Sequence, residues 1–177
     1  TALRLDPGKV RYIIHSHGHI DHYGNTAQWV RMTGARTLIG REDASIVTGE
    51  RELSWAKELH LEPAESFHPD ILFGDGEIKN LCGREFRFIH APGHTEGTYA
   101  VFTRTNIGGV SKVAAMHGGI GLNSMSRAFL TNNNLPLSLR DDFRNGLHGL
   151  QKEHVDVVLG NHPDQHLQGD YIIWYMK

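Results

Sequence analysis

The chain has 177 residues, a single cysteine and a formal net charge of −2 with histidine neutral. This length allows one domain with a substantial hydrophobic core. The slightly acidic balance gives no electrostatic basis for binding nucleic acid or an anionic membrane surface, and no apolar run approaches the length of a membrane span. One cysteine excludes an intrachain disulfide and argues against a thiolate zinc site. The 13 histidines are the unusual feature, because histidine is the commonest metal ligand.

The first part of the chain predicts alternating short strands and helices. Apolar residues over 10–15 predict a buried strand that leads directly into a group of histidines. A helix is predicted over 25–33, where apolar residues at helical spacing form one side, and a second over 41–48; a glycine, Gly34 or Gly49, ends each of them. A short strand is predicted between them over 37–39. Residues 51–69 predict irregular structure with some helix.

The second part predicts mainly strands, because the hydrophobic period changes to two. Strands are predicted over 77–81, 85–90, 98–104 and 111–116, with turns at 82–83, 92–93 and 106–109. Apolar residues at helical spacing predict the longest helix over 137–153. A continuous apolar strand is predicted over 155–159. One mixed α/β domain over residues 1–177 is the simplest interpretation, since neither repeat nor linker interrupts it.

The densest cluster of metal-binding residue types lies between residues 17 and 22. His17 and His19 alternate, so an extended backbone would direct both side chains to one ion, and Gly18 lets the backbone bend between them. Asp21 and His22 would then face away from that ion and begin a second site. Asp21 also precedes the helix predicted from residue 25, where the helix dipole favours a carboxylate.

Two further histidines could complete these ligand sets. His94 follows the tight turn Pro92–Gly93 after a predicted strand. Three histidines with an open fourth position are typical of a catalytic zinc site rather than a structural one. His162, at the end of the apolar strand 155–159, could supply the third ligand of the second site. Histidines without such a context are interpreted as surface or core residues: His60, His68, His148 and His154.

These motifs resemble those of the metallo-β-lactamase superfamily. Residues His17 to His22 resemble its His-x-His-x-Asp-His signature, Pro92-Gly93-His94-Thr95-x-Gly97 is similar to its second motif, and Gly160-Asn161-His162-Pro163 resembles its last metal motif. The resemblance extends from Val10 to about Pro163. It implies an α/β fold, the αββα sandwich of mixed sheets, with a two-metal site at one edge. It also implies two ligand sets: His17, His19 and His94 on a first zinc, and Asp21, His22 and His162 on a second.

The sequence departs from the family pattern at two places. The family places several strands before its first motif, whereas His17 is close to the beginning of this sequence. The resemblance therefore implies a fold that is incomplete at the N-terminus. It also implies that the family's final helix is missing, because the sequence stops early at residues 170–177. Many members carry an aspartate or a cysteine after the strand that follows the second motif, whereas residues 114–119 contain only Ala, Met, His and Gly. The third subclass of metallo-β-lactamases also lacks a protein ligand there, and this chain is similar to that subclass.

The resemblance implies a zinc-dependent hydrolase, with iron or manganese as alternatives to zinc. A hydroxide on the metal would attack the carbonyl of a small-molecule β-lactam, thioester, ester or lactone. Asp21 would be the catalytic residue that orients the nucleophile and carries its proton. His117 is a candidate extra ligand or substrate contact. The glycine-rich loop after it could border the substrate pocket through Asn123, Ser124 and Ser126.

Two alternative functions stay open at this point. A mononuclear iron dioxygenase can share the first motif, whereas diiron flavoprotein relatives would carry a glutamate in place of His19. A non-catalytic, partner-binding domain is the second alternative. It would follow if the missing strands were truly absent, because the sheet would then present an open edge and an apolar face.

Overall fold

A computed structural model describes residues 6–162 of the chain. Within that range the helices and strands are, in chain order, β1 Tyr12–Ile14, α1 Ile20–Tyr23, α2 Thr26–Thr33, β2 Arg36–Gly40, α3 Ala44–Val47, β3 Ile71–Phe73, β4 Ile78–Leu81, β5 Arg84–His90, β6 Tyr99–Ile107, β7 Val110–Met116, α4 Arg127–Asn132, α5 Leu139–Leu150 and β8 Val157–Leu159. Short 3-10 helices lie at Pro7–Lys9, Arg41–Asp43 and Asn123–Met125. No helix in the described range is both long enough and apolar enough to cross a membrane.

The strands form two sheets. The first is parallel, in the order β1-β2-β3, and Leu38 of β2 pairs with Ile14 on one side and Ile71 on the other. The second has the order β4-β5-β6-β7-β8 and is antiparallel except at its last pair. There β8 runs parallel to β7, with Val158 opposite Ala115. A parallel neighbour requires a long connection, and the segment carrying α4 and α5 supplies it.

The two sheets pack face to face between outer helices. Their shared core contains Leu38, Phe73, Leu81, Phe88, Tyr99 and Val101. Alternation along the strands turns the next residues outward. Ile39 packs with residues of α1 and α3 on one side, and Phe102 belongs to a cluster that includes Leu150 of α5 on the other. This helix–sheet–sheet–helix layering confirms the predicted fold class.

Three elements and several boundaries differ from the sequence predictions. The helix predicted over 41–48 begins as a 3-10 turn, and only Ala44–Val47 is α-helical. Residues 51–69 contain neither helix nor strand. Asp21 precedes α2, as predicted, but it lies in the first turn of the additional short helix α1. The short elements α1, β3 and α4 were not predicted, because three to six residues carry too little periodicity.

Candidate metal centre

The loop between β1 and α1, residues 15–19, presents the first two histidines and is called the first loop below. His15 fixes its start, because its amide and its ring Nδ1 lie 2.9 and 3.0 Å from the Leu38 carbonyl oxygen. The other ring nitrogen of His15 lies 2.7 Å from Thr26 Oγ1. The Ser16 carbonyl accepts a hydrogen bond from the Tyr99 amide, 2.9 Å, which ties the loop to the second sheet. His15 is therefore a buried structural residue.

The loop between β5 and β6, residues 91–98, presents His94 and is called the second loop. Gly93 has φ +133°, and a Cβ there would overlap the Phe143 side chain of α5, so only glycine fits. Ser124 is buried, and its hydroxyl donates to the His94 carbonyl oxygen, 2.6 Å. On the ring side, a Cβ on Gly119 would overlap the His94 imidazole. The Ser124 side chain and the Gly119 backbone thus hold His94 on both sides.

His17, His19 and His94 form the first ligand group. One nitrogen atom of each ring lies within 4.8 Å of the others. The ring centroids are 4.8 Å apart for His17 and His19, 4.7 Å for His17 and His94, and 4.4 Å for His19 and His94. The structure therefore brings together the three residues predicted for the first ion.

Hydrogen bonds determine which nitrogen atoms face this centre. His94 Nδ1–H donates to the Gly121 carbonyl oxygen, 2.8 Å, which leaves the Nε2 lone pair of His94 for the site. The Ser16 hydroxyl donates to the Gly118 carbonyl oxygen, 3.1 Å, so it can only accept from His17 Nδ1–H, 3.0 Å away. The Nε2 lone pair of His17 is therefore directed to the site as well.

The electrostatics of this group suit a cation. Burial, reinforced by the neighbouring imidazoles, lowers the pKa of His17 well below its usual value and that of His19 to about 2. Burial also lowers the pKa of His94. His17 Nε2 is buried and has no hydrogen-bond partner in the described part of the chain. Neutral imidazoles around an unpartnered buried acceptor fit a borderline-soft divalent ion such as zinc.

A second group adjoins the first through His17. Ligand atoms of His17, Asp21 and His22 also lie within 4.8 Å of one another. Asp21 Oδ2 lies 3.4 Å from His22 Nε2 and 3.6 Å from His162 Nε2. The rings of His22 and His162 are 5.1 Å apart. All six predicted ligands are thus close together, and the division of the last three into a second site stays a prediction.

His117 lies beside the first group. Its Nδ1 accepts a hydrogen bond from the Gly119 amide, 3.1 Å, and its buried Nε2 has no partner among residues 6–162. Burial and the nearby His94 lower the pKa of His117 to about 4. A role for His117 as a ligand or substrate contact stays a prediction.

The other predicted substrate contacts have different surroundings. Asn123 is exposed. Ser124 uses its hydroxyl proton on the His94 carbonyl, and Ser126 accepts a hydrogen bond from the Phe129 amide, 3.2 Å, as the N-cap of α4. These contacts favour a positioning role for Ser124 and a capping role for Ser126.

The histidines interpreted as ordinary residues are all exposed: His60, His68, His148 and His154.

Asp43 was not identified from the sequence. It follows Arg41 and Glu42, and such a charged run is typical of a solvated surface. In the structure its side chain is completely buried and accepts hydrogen bonds from both loops. No local sequence signal distinguishes it from the exposed Glu42 beside it.

Comparison with known families identifies the fold and its site. Residues 1–106, more than half of the chain, match the model of the metallo-beta-lactamase superfamily. The chain belongs to the metallo-β-lactamase superfamily. The matched residues include both loops, and therefore the complete first ligand group.

Known relatives are of two kinds. The chain is 28% identical over 119 residues to hydroxyacylglutathione hydrolase GloC of Haemophilus influenzae, covering 67% of this chain and 56% of that protein. FEZ-1 metallo-β-lactamase from Legionella gormanii superposes with a TM-score of 0.80 at 23% identity, over 93% of this chain and 63% of FEZ-1. The class B3 di-zinc metallo-β-lactamase LRA-12 from an Alaskan soil metagenome gives 0.77 at 20% identity, over 93% and 62%.

At these identities the two lactamase structures establish the fold alone. LRA-12 is of class B3, the third subclass that the sequence resembles. The chain spans about half the length of the curated relatives it matches. It spans about three fifths of the two lactamase structures.

Proposed function

We propose that this chain carries the active site of a zinc-dependent hydrolase that cleaves the bond between the carbonyl carbon and the leaving nitrogen, sulfur or oxygen of a small-molecule β-lactam, thioester, ester or lactone. The observation that carries the proposal is the pair of adjacent ligand groups that share His17. Three neutral imidazoles are the protein donor set of a catalytic zinc ion, whose fourth position is taken by water or substrate. The names of the relatives, a hydroxyacylglutathione hydrolase and two β-lactamases, support thioesters and β-lactams as the first substrates to test.

The protein groups have separate tasks in this proposal. A divalent ion, when bound, polarises the carbonyl and lowers the pKa of water so that a nucleophile is available near neutral pH. Asp21 accepts the proton of the attacking water at its carboxylate and passes it to the leaving group. The Asp21 side chain is 38% exposed and its Oδ2 lies 3.4 Å from His22 Nε2, so its carboxylate is accessible from solvent beside the ligand groups. His17, His19 and His94 hold the ion.

The test is a substrate panel on protein stripped of metal and reloaded separately with zinc, manganese and iron. Hydrolysis of a β-lactam, thioester, ester or lactone is expected with zinc, with loss on chelation and recovery on adding zinc back. Oxygen uptake is measured in parallel. A protein that binds zinc but hydrolyses none of the four classes, or one that consumes oxygen with iron and hydrolyses nothing, would overturn the proposal.

A further inference from the structure

Asp43 is a buried carboxylate located between the two loops that carry the histidines. It ends the 3-10 helix Arg41–Asp43 that follows β2, and its exposed fraction is 0%. No ion pair within residues 6–162 involves it. A buried charge without a cationic partner is costly, and burial raises the pKa of Asp43 to about 6. The hydrogen bonds that the carboxylate accepts must therefore offset that cost.

Those hydrogen bonds come from both loops. Asp43 Oδ2 accepts from the Gly18 amide of the first loop, 2.7 Å, and from Thr95 Oγ1 of the second loop, 2.6 Å. Asp43 Oδ1 accepts from the Gly97 amide of the second loop, 2.8 Å. One rigid, planar group thus joins two segments that are about eighty residues apart in the sequence.

The packing around the carboxylate leaves little room for adjustment. A Cβ added to Gly97 would lie 2.5 Å from Asp43 Cγ, and one added to Gly18 would lie 3.3 Å from Asp43 Cβ. Both glycine backbones therefore lie directly against the Asp43 side chain. A larger side chain at 43 would therefore have to move at least one loop.

The contacted residues are neighbours of the histidines of the first group. Gly18 lies between His17 and His19, and Thr95 follows His94. We infer that Asp43 is a positioning residue that holds the first and second loops at the separation required for one ion to bind histidines from both. This inference rests on the metal centre of the proposed function, but it concerns metal affinity and not the identity of the substrate.

Asp43→Asn is the direct test. Asparagine has the same shape but one acceptor oxygen, so its amide group would face the N–H donor of Gly18 or of Gly97. We expect the dissociation constant for zinc to rise by about 10- to 100-fold, the usual effect of losing a residue that orients metal ligands. We also expect a changed visible absorption spectrum of the cobalt-substituted protein, because the ligand geometry changes. A purely structural role would alter neither property.

Two further variants make the test decisive. Glu42→Gln is the matched control, because Glu42 is the adjacent carboxylate and accepts from the Tyr99 hydroxyl, 3.0 Å, and from neither loop. It should leave zinc affinity and the cobalt spectrum unchanged. Thr95→Val removes a single hydrogen bond to Asp43 and should raise the dissociation constant by a smaller factor. If Asp43→Asn does not fold, the Thr95→Val variant takes its place in the test.

The outcomes separate this inference from the proposed function. An Asp43→Asn protein that melts at a lower temperature but binds zinc and cobalt as the parent does would overturn the positioning role. Where Asp43→Asn does not fold, unchanged affinity in Thr95→Val would do the same. A parent protein that binds zinc but hydrolyses no substrate would overturn the proposed function and leave the positioning role intact.

Discussion

His19 Nδ1 lies 2.9 Å from His94 Nε2, although 75 residues separate the two histidines in the sequence. Since His94 Nδ1 carries the proton donated to Gly121, the short contact requires His19 Nδ1 to donate to His94 Nε2. A metal ion that binds both nitrogen atoms would replace this proton. Binding of a metal ion to both nitrogen atoms therefore requires the hydrogen bond between the two rings to break.

Replacing His94 should abolish the first metal position. In His94→Ala the ring that donates to the Gly121 carbonyl oxygen is lost, so only two histidines of the first group remain. We expect zinc affinity to fall by at least about a hundredfold, the upper range for residues that merely orient ligands, together with nearly all hydrolysis. His60→Ala is the control, because His60 is exposed. Equal zinc content in the two variants after dialysis would contradict the assignment.

Replacing Asp21 should affect catalysis and not folding. Asp21→Asn keeps the side-chain shape in the first turn of α1 but removes the charge beside His22 and His162. Turnover at saturating zinc should fall by roughly a hundredfold or more, as expected for a general acid–base, while the melting temperature without metal changes little. Asp141→Asn alters a similar acidic residue in the first turn of α5 and should change neither property. Unchanged turnover in Asp21→Asn would refute its catalytic role.

The second metal position should depend on His162. His162 Nε2 lies 3.6 Å from Asp21 Oδ2, and the His162 ring centroid lies 5.1 Å from that of His22. Zinc titration of the stripped protein is expected to give two equivalents for the parent and one tight equivalent for His162→Ala. His154→Ala removes a histidine whose side chain is 77% exposed and should retain two equivalents. Two equivalents bound by His162→Ala would exclude His162 as a ligand.

Ser124 and Ser126 should differ although they are two residues apart. Ser124→Ala leaves the His94 carbonyl without its donor, so both stability and zinc affinity should fall, the former by about 1 kcal/mol. Ser126→Ala removes only the N-cap of α4 and should cost a similar amount of stability, about 1 kcal/mol, without changing zinc affinity. Chemical denaturation and zinc titration measure the two effects separately. Equal zinc affinities for both variants would show that Ser124 does not position His94.

Acidification should destabilise the metal-free protein. The folded state lowers the pKa of His17, His19 and His117, so below their ordinary value of 6.5 the unfolded chain binds more protons and stability is lost. For His19, whose folded pKa is about 2, the loss between pH 6.5 and pH 5 is about 2 kcal/mol. The raised pKa of Asp43 acts in the opposite direction between about pH 4 and pH 6. Because several histidines oppose one carboxylate, urea unfolding in the presence of a chelator should show lower stability at pH 5 than at pH 7. Equal stability at the two values would contradict the prediction.

The sequence by itself determined the local parts of this protein. His17, His19, Asp21 and His22 could be recognised because a spacing of one or two residues keeps their side chains near one another in almost any backbone conformation. His94 could be recognised because a tight turn after a strand has a local signature. The periodicity of β5, β6, β7 and α5 likewise depends on residues close together in the chain.

Only the tertiary structure decided which distant residues meet. The sheet position of β3, the contact of Ser124 with His94 and the burial of Asp43 against Gly18 and Gly97 all join segments far apart in the chain. Nothing in the local pattern Arg41-Glu42-Asp43 separates a buried carboxylate from its exposed neighbour. The difference arises because the 3-10 turn after β2 directs Asp43 inward, where amide and hydroxyl donors from two loops compensate its burial.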